Sequence, residues 1–520
     1  MTAIHETAYP RIRSTLSDKE LEEIYTPTPD DLTFVQRITK SPVAAFGAIV
    51  LLKALQRLGY VPTFEALPPR LLQHLATTMG VLTPHVFLHQ YEQRRLREGH
   101  VPLLRAHLGI TAFSDGGRRV LVGAVLEAAR SKDILADIIN VGIEALVQAR
   151  YELPAFSTLQ RAAQKARAQV NQRYYQQVAA ALTDTQREAL MRLLTRADKE
   201  ATSPWQRLKR EPKQPTLKHI REHITHVRWL QALNSARQAV EDIPETKLQR
   251  FADEARALDV ARMNAMPAPK RWTLAVTLIR IRTAQALDDL AEMFIRRIQK
   301  LHQQADAALA DYRHQHQEQT DALVALLGNL VSGWQASETP EQRLETIDTL
   351  LGDDAETILA RCETHLGYAG NNYLPFLWPL FRPYRKACLD ILELLHPTST
   401  STDTALERAI PFVLRHRHVR TARLSIIEDD GNKPQRLKLS WIPKRWWKAV
   451  TSRPRREMPV GTMDRKYLEL CVLSCAMIEL KSGDLCIAHS EQFSDYRAQL
   501  VTWEDYAQQV DAYCQQVGII

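Results

Sequence analysis

Three residues of the chain, His219, Glu222 and His223, have the H-x-x-E-H spacing that can place two imidazoles and a carboxylate on one helix face. Such a set can bind zinc, which activates a water molecule for hydrolysis. The neighbouring cations Lys218 and Arg221 oppose this chemistry because their positive charge repels a divalent ion. A basic helix surface without metal ligands is therefore our main interpretation. A zinc hydrolase using the HIREH motif is a remote alternative.

The acidic run Glu428-Asp429-Asp430 is a second candidate for metal chemistry, because neighbouring carboxylates can hold the metal ions of phosphoryl transfer. However, Gly431 and Asn432 follow it, and Asp, Gly and Asn are favoured in the turns that close hairpins. The sequence also has no GxxxxGK[ST] phosphate-binding loop and no GxSxG nucleophile motif. We therefore expect no catalytic residue in this chain.

The strongest local signal is a basic, tryptophan-rich segment between Trp441 and Arg456. Cationic side chains can neutralise phosphates while indole faces pack on sugars or unpaired bases. The candidate DNA-binding residues of this region are Arg415, Arg417, Arg420, Arg423, Lys444, Arg445, Trp446, Trp447, Lys448, Arg453, Arg455 and Arg456. In the alternative interpretation, the tryptophans belong to the hydrophobic core and the charges form a solvated rim.

A second basic candidate is a helix predicted to run from Ser157 to about Leu182. Ser157 and Gln160 have the capping-box spacing, which favours a helix N-terminus at Ser157. No acidic residue interrupts this helix, so its cations could contact phosphates; the alternative is a solvated helix face. Its candidate DNA-binding residues are Arg161, Lys165, Arg167 and Arg173.

The charge of the chain is concentrated in one place. The whole chain carries a formal net charge of +8, and residues 411 to 457 alone carry thirteen Lys/Arg against four acidic residues, a local net of +9. The rest of the chain is thus close to neutral, and the basic region points to a polyanionic partner. The longest apolar run, Val43 to Leu52, is far shorter than the ~20 residues of a membrane helix, and the cysteines form no CxxC pair. We expect a cytoplasmic protein without a membrane partner.

Hydrophobic spacing predicts a mainly α fold of several helical bundles. Turn and linker signals divide the chain into four regions. The predicted regions are an N-terminal helical DNA-binding domain (1–105), a second helical DNA-binding domain (106–200), a linker and long-helix dimerisation region (201–335), and a helical scaffold region with the hairpin and the basic patch (336–520).

Two elements of the C-terminal half can be predicted in more detail. A long helix is expected from Trp272 to about Trp334, since apolar residues from Leu287 to Ala305 keep three- and four-residue spacing. That spacing fits packing within the chain as well as pairing with a second helix. A small β-hairpin is expected near residues 422–441, with strands at Arg423–Ile427 and Arg436–Trp441.

Several blocks of the sequence resemble the replicative transposases of the Tn-three family. The blocks follow the family's order and extend over almost the whole chain. They are residues 151–154 with 157–159, 251–259, 269–272, 370–378, 385–392, 463–467, 481–484 and 496–504. Each block is a moderate signal, and their collinear occurrence is a strong one.

The resemblance implies a role in DNA transposition and recombination. It implies that N-terminal helical domains recognise the terminal inverted repeats of a transposable element as double-stranded DNA. It also implies a homodimer, or a heterodimer with a full-length transposase, and a bacterial, nucleoid-associated location. The family's RNase H-like catalytic domain is not recognisable here, so we expect no enzyme activity from this chain alone. The chain itself then needs no cofactor, and the divalent metal ions would belong to that catalytic domain.

One alternative interpretation keeps the DNA binding but gives the chain a different role. The chain would then be a stand-alone regulator or an inactive remnant that competes for transposon ends.

Overall fold

The computed structural model of the chain describes residues 2–195, 203–211, 216–352, 355–368, 372–429, 434–453 and 461–516. The chain forms two compact units. Unit 1 comprises residues 1–205 and 236–278, and unit 2 comprises residues 206–235 and 279–520. The first passage between the units, at residues 205–206, falls within the predicted linker and long-helix region (201–335). The four-region division stays a prediction.

Most of unit 1 is a run of helices from the first part of the chain. They are α1 (Asp18–Glu20), α2 (Pro29–Ile38), α3 (Pro42–Leu58), α4 (Pro69–Met79), α5 (Pro84–Gln93), α6 (Leu96–Leu108), α7 (Asp115–Ser131), α8 (Leu135–Gln148), α9 (Phe156–Ala181) and α10 (Asp184–Leu193). The middle of the chain, whose residues are shared between the units, adds α11 (Pro204–Leu208), α12 (Leu217–Leu233), α13 (Glu245–Ala257), α14 (Val260–Ala265) and α15 (Ala268–Gln315).

Helix α3 lies at the centre of the first hydrophobic core of unit 1. The Ser41 hydroxyl accepts a hydrogen bond from the Ala44 N–H, and Gly59 ends the helix with a φ of +70°, which suits glycine. Almost every residue between these ends is buried. Gly47 allows the Tyr91 ring to lie against the helix, since a Cβ there would stand 2.2 Å from a ring carbon.

The second core of unit 1 joins α7, α8 and α9. Leu121, Ile139 and Leu159 are among its buried residues. Helix α9 confirms the predicted helix but begins at Phe156, so the prediction of Ser157 as the N-cap was wrong. The helix starts two residues after Pro154, with Ala155 as its N-cap and no side-chain cap.

Unit 2 is also helical, with short strands near its C-terminal part. Its further helices are α16 (Gln317–Ala336), α17 (Pro340–Leu351), α18 (Ala355–Gly367), α19 (Leu374–Phe381), α20 (Arg385–Leu395), α21 (Ala405–Arg415), α22 (Lys444–Thr451), α23 (Arg465–Ser482) and α24 (Trp503–Gln516). The predicted long helix is present as α15 and α16, with a break at His316.

The apolar spacing on α15 serves packing inside unit 2. Leu287, Leu290, Phe294, Ile298, Leu301 and Ala305 are all at most 3% exposed. The structure thus agrees with the interpretation that this spacing serves packing within the chain, rather than pairing with a second helix of another chain. On the same helix His302 lies within hydrogen-bonding distance of Ser474 on α23 and of Tyr373, at 2.8 and 3.1 Å.

Among the described residues, the strands form three antiparallel pairs. Thr398–Ser399 (β1) pairs with Leu485–Cys486 (β6), Arg423–Ser425 (β2) with Thr462–Asp464 (β5), and Ile427–Asp429 (β3) with Pro434–Arg436 (β4). A hairpin is present near the predicted position as β3 and β4, and its tip at 430–433 lies outside the described residues. The predicted second strand, Arg436–Trp441, was wrong beyond Arg436, where β4 ends. The prediction that Arg423–Ser425 belongs to this hairpin was wrong, because these residues pair with β5.

The mainly α prediction is confirmed, since the strands are two or three residues long. Within the described residues, we find no helix whose length and apolar character would let it span a bilayer.

Candidate nucleic-acid interface

Helix α9 presents one polar face to solvent over its first sixteen or so residues. The side chains of Leu159, Ala163 and Ala166 point into the core that α9 shares with α7 and α8. The opposite face is exposed and contains no acidic residue. We call it the α9 strip, and it consists of Ser157, Arg161, Gln164, Lys165, Ala168 and Gln172.

A buried ion pair fixes α9 against the α7–α8 connection and α13. The Lys247 ammonium lies 2.6 Å from an Asp133 carboxylate oxygen and 2.8 Å from the Asn171 side-chain carbonyl on α9. The Asn171 amide in turn donates to Asp133 at 3.2 Å. Lys247 is fully buried. This network holds the α9 strip at a fixed rotation.

The two charges of this network perturb each other's ionisation. Burial raises the pKa of the Asp133 carboxyl, but the hydrogen bond and the charge of Lys247 more than offset it, so this pKa lies below its ordinary value. Burial lowers the pKa of Lys247, and the hydrogen bond and charge of Asp133 oppose that shift only in part.

The four predicted residues of α9 do not share one role. Arg161, Lys165 and Arg173 are exposed. Arg167 is half-buried, and its guanidinium donates to the backbone carbonyl of Asp133 at 3.1 Å. Arg167 therefore positions the helix in this structure, whereas Arg161, Lys165 and Arg173 remain at the surface, and their DNA-contact roles stay predictions.

Sequence reasoning missed two further cations beside α9. The Tyr174 hydroxyl donates to the Arg130 carbonyl at 3.2 Å, which holds the end of α7 next to α9. Arg130 and Lys132 are exposed there. In the sequence, Arg130 and Lys132 are two closely spaced cations, and this spacing does not show which helix they adjoin.

The tryptophan-rich segment divides into two faces on α22. Trp446 is 0% exposed and Trp447 is 7% exposed, whereas Lys444, Arg445 and Lys448 are exposed. The prediction that these indoles pack on sugars or bases is thus contradicted. The structure agrees with the alternative interpretation, in which both tryptophans belong to the hydrophobic core. The cause is helical spacing, which turns both indoles to the face that packs on α23.

Other cations of the basic region already have protein partners. Arg417 contacts Glu393 and Asp390 at 2.8 and 3.6 Å. Arg423 donates to the Thr462 and Ser452 hydroxyls. Arg415, Arg420 and Arg453 are exposed, while Arg455 and Arg456 lie outside the described residues. The DNA-contact roles of these residues stay predictions.

The H-x-x-E-H residues lie on α12 beside a cleft of about 290 Å³. His223 is buried, its Nε2 lies 3.0 Å from the Ala286 carbonyl oxygen, and burial lowers its pKa. An Nε2–H that donates to a carbonyl is not available to a metal. Burial also lowers the pKa of His226 to about 4, and nearby Arg207 opposes its protonation further. Among the described residues, no group of three His, Cys, Asp or Glu side chains is placed to hold a metal ion.

The fold and these surfaces describe a helical protein with separate exposed basic faces, a class to which nucleic-acid-binding proteins belong. Comparison with known proteins is consistent with that class. Residues 1–166 match the family described as Domain of unknown function (DUF4158).

The chain is similar over most of its length to transposases. It is 26% identical to the transposase for transposon Tn501 of Pseudomonas aeruginosa, over 94% of this chain and 48% of that protein. It is also 26% identical to the transposase for Tn21 of Escherichia coli, over 94% and 48%, and 21% identical to the transposase for Tn1546 of Enterococcus faecium, over 89% and 46%. The chain thus spans about half the length of the curated relatives it matches. These matches confirm the resemblance to Tn-three-family transposases and support a transposase-related role.

Proposed function

We propose that this chain binds the terminal inverted repeats of a transposable element as duplex DNA, in the role of the non-catalytic N-terminal part of a transposase. The observation that carries the proposal is the acid-free, exposed α9 strip in a chain similar to transposases over 94% of its length. A cationic strip without carboxylates is attracted to phosphates and meets no like-charge repulsion there.

The proposal divides the work between two surfaces. A helix with a polar exposed face can enter a major groove, so the α9 strip makes the sequence-specific contacts. The exposed cations of α22 are better placed along a phosphate backbone, because their own tryptophans are buried beneath them. Nucleoid association follows from this DNA binding. Strand-transfer chemistry, with its metal ions, is assigned to residues outside this chain.

A mobility-shift titration tests the specific binding. The whole chain is titrated with the terminal repeat of its own element and with a scrambled duplex at two salt concentrations. We expect tighter binding to the repeat and a steep loss of affinity with salt. Equal affinity for both duplexes would overturn the sequence-specific part.

Single substitutions test the role of the α9 strip. Arg161→Ala or Lys165→Ala should lower specific binding more than non-specific binding if the side chain reaches a base edge. Arg192→Ala on α10 is the matched control, because this exposed arginine pairs with Glu188 and lies outside the strip. An equal loss for both duplexes would make the two residues phosphate contacts.

We also propose that the chain pairs with a second copy, or with a full-length transposase, through α16. Val324, Leu327, Val331 and Trp334 recur at three- and four-residue spacing and are 64%, 61%, 50% and 48% exposed. Such an apolar stripe is typical of a helix that packs against another chain. This contact would also let a stand-alone form of the chain act as a competitor for transposon ends.

Sedimentation measurements test the pairing. Leu327→Glu should shift the chain toward monomer, because a carboxylate would be buried in the apolar contact. Asn329→Glu, at an exposed position on the other side of α16, should leave the mass unchanged. A wild-type chain that stays monomeric at all concentrations, alone and with full-length transposase, would reject the pairing.

A further inference from the structure

The α9 strip contains two amide side chains that phosphate binding does not explain. Gln164 and Gln172 are exposed, and neither side chain makes a hydrogen bond to another described residue. Gln169 is also exposed without a side-chain hydrogen bond, but it lies off the strip. The half-buried amides nearby are tied to the protein: Gln160 lies 3.5 Å from the Thr2 carbonyl oxygen, and Asn171 is held by Asp133 and Lys247. The amides of the strip itself are thus Gln164 and Gln172, and both are unoccupied.

A glutamine amide is suited to reading a base rather than a phosphate. It has no charge to attract a phosphate, but its carbonyl and NH₂ groups match N6 and N7 of adenine as a bidentate pair. Arg161, on the same strip, matches O6 and N7 of guanine in the same way. Ala168 lies between the glutamines, and its small side chain permits close approach or contact with a thymine methyl group.

The dimensions of the strip fit a major groove. From Ser157 to Gln172 the helix axis advances roughly 22 Å at about 1.5 Å per residue. The major groove, about 12 Å wide, admits a helix of this kind. Beyond Gln172 the strip ends, since Tyr175 packs on Phe251 with ring centroids 5.4 Å apart and α13 covers that side.

We infer that Gln164 and Gln172 are specificity-determining residues that read adenines in the major groove of the transposon end. Arg161 reads a guanine in the same site, and Lys132 beside the helix contacts a phosphate. The two glutamines are eight residues, or about 12 Å, apart along the axis, so their adenines lie roughly three to four base pairs apart. This inference rests on the proposed function, because it requires duplex binding at the terminal repeat.

A base-substitution scan with the whole chain tests the inference. Each base pair of the terminal repeat is replaced in turn, and affinities are measured for wild type, Gln164→Ala, Gln172→Ala and Gln177→Ala. Gln177 is the matched control, since it is exposed on another side of α9. Thermal unfolding of each variant checks that it remains folded.

We expect each strip variant to bind the intact repeat about ten to a hundred times more weakly, with unchanged affinity for the scrambled duplex. Each should also lose discrimination at one A·T pair, and the two pairs should differ. Gln164→Glu should shift the preference at its position toward cytosine, because a carboxylate accepts from the cytosine N4 amine.

The outcomes separate the two levels of the argument. If wild type prefers the repeat but both strip variants behave like Gln177→Ala, the inference is overturned and the proposed function stands. If wild type does not distinguish the repeat from the scrambled duplex, the proposed function fails, and the inference fails with it.

Discussion

Helices α9 and α22 look alike as sequences but differ as surfaces. Both combine closely spaced cations with aromatic residues and lack acidic residues. On α9 the cations share an exposed strip with amides, and on α22 the cations cover two buried indoles. Composition therefore identified both regions as basic, but the element that packs on each helix decided which side chains stay exposed.

The comparison separates the two kinds of contact that DNA binding needs. Amides and arginines on an exposed strip can discriminate bases. On α22 the cations have no amide beside them, and their proposed role is to neutralise phosphates. The following substitutions and conditions test this separation, starting with the largest expected effect.

Trp446→Ala tests whether the α22 indoles are core residues. Removing this fully buried ring should destabilise unit 2 by roughly 3–5 kcal/mol, measured by denaturant unfolding, because a large cavity replaces it. Trp446→Phe should cost far less, since it keeps an aromatic ring and removes an indole N–H that has no hydrogen-bond partner among the described residues. A stable Trp446→Ala variant with impaired DNA binding would restore the indoles as DNA contacts.

Lys247→Met tests how firmly α9 is held. The substitution leaves the Asp133 carboxylate buried without its main cation, which should cost unit 1 about 3 kcal/mol. Lys19→Met is the control, because Lys19 pairs with Glu23 only at the surface. Sequence preference should weaken along with stability. Undiminished stability would mean that the α9 strip does not depend on this network.

Acidification should weaken unit 2 through two half-buried histidines, His226 and His302. Burial lowers the pKa of His226 and of His302 to about 4, well below the ordinary value. Both residues stay neutral in the folded state down to about pH 4, whereas in the unfolded state they take up a proton below about pH 6.5. The free energy of unfolding is therefore unaffected by them above about pH 6.5 and falls as the pH decreases toward 4.

We expect a loss of about 1 kcal/mol per histidine between pH 7 and pH 5, after allowance for partial exposure. Denaturant unfolding at the two pH values measures it, and His302→Gln should flatten the dependence. A pH dependence that His302→Gln leaves as steep as before would reject His302 as a contributor.

Removing the α22 cations tests the backbone role of this helix. Lys444→Ala, Arg445→Ala and Lys448→Ala should each flatten the salt dependence of binding by roughly one unit, equally for repeat and scrambled duplexes. Lys481→Ala, at the end of α23, is the control. The division between α9 and α22 breaks down if these substitutions change the preferred sequence.

The sequence determined the helical periodicity, the presence of the β3–β4 hairpin, the concentration of charge at 411–457 and the blocks similar to transposases. Local spacing and turn chemistry carry these signals, so they survive without tertiary contacts. Only the tertiary structure decided that Leu287–Ala305 packs within unit 2, that α16 keeps an apolar stripe exposed, and that Asn171 is bound while Gln172 is free. The physical reason is that periodicity defines a helix face, whereas other parts of the chain decide whether that face contacts protein or water. Lys247 on α13 does this for α9, and helix α23 does it for α22.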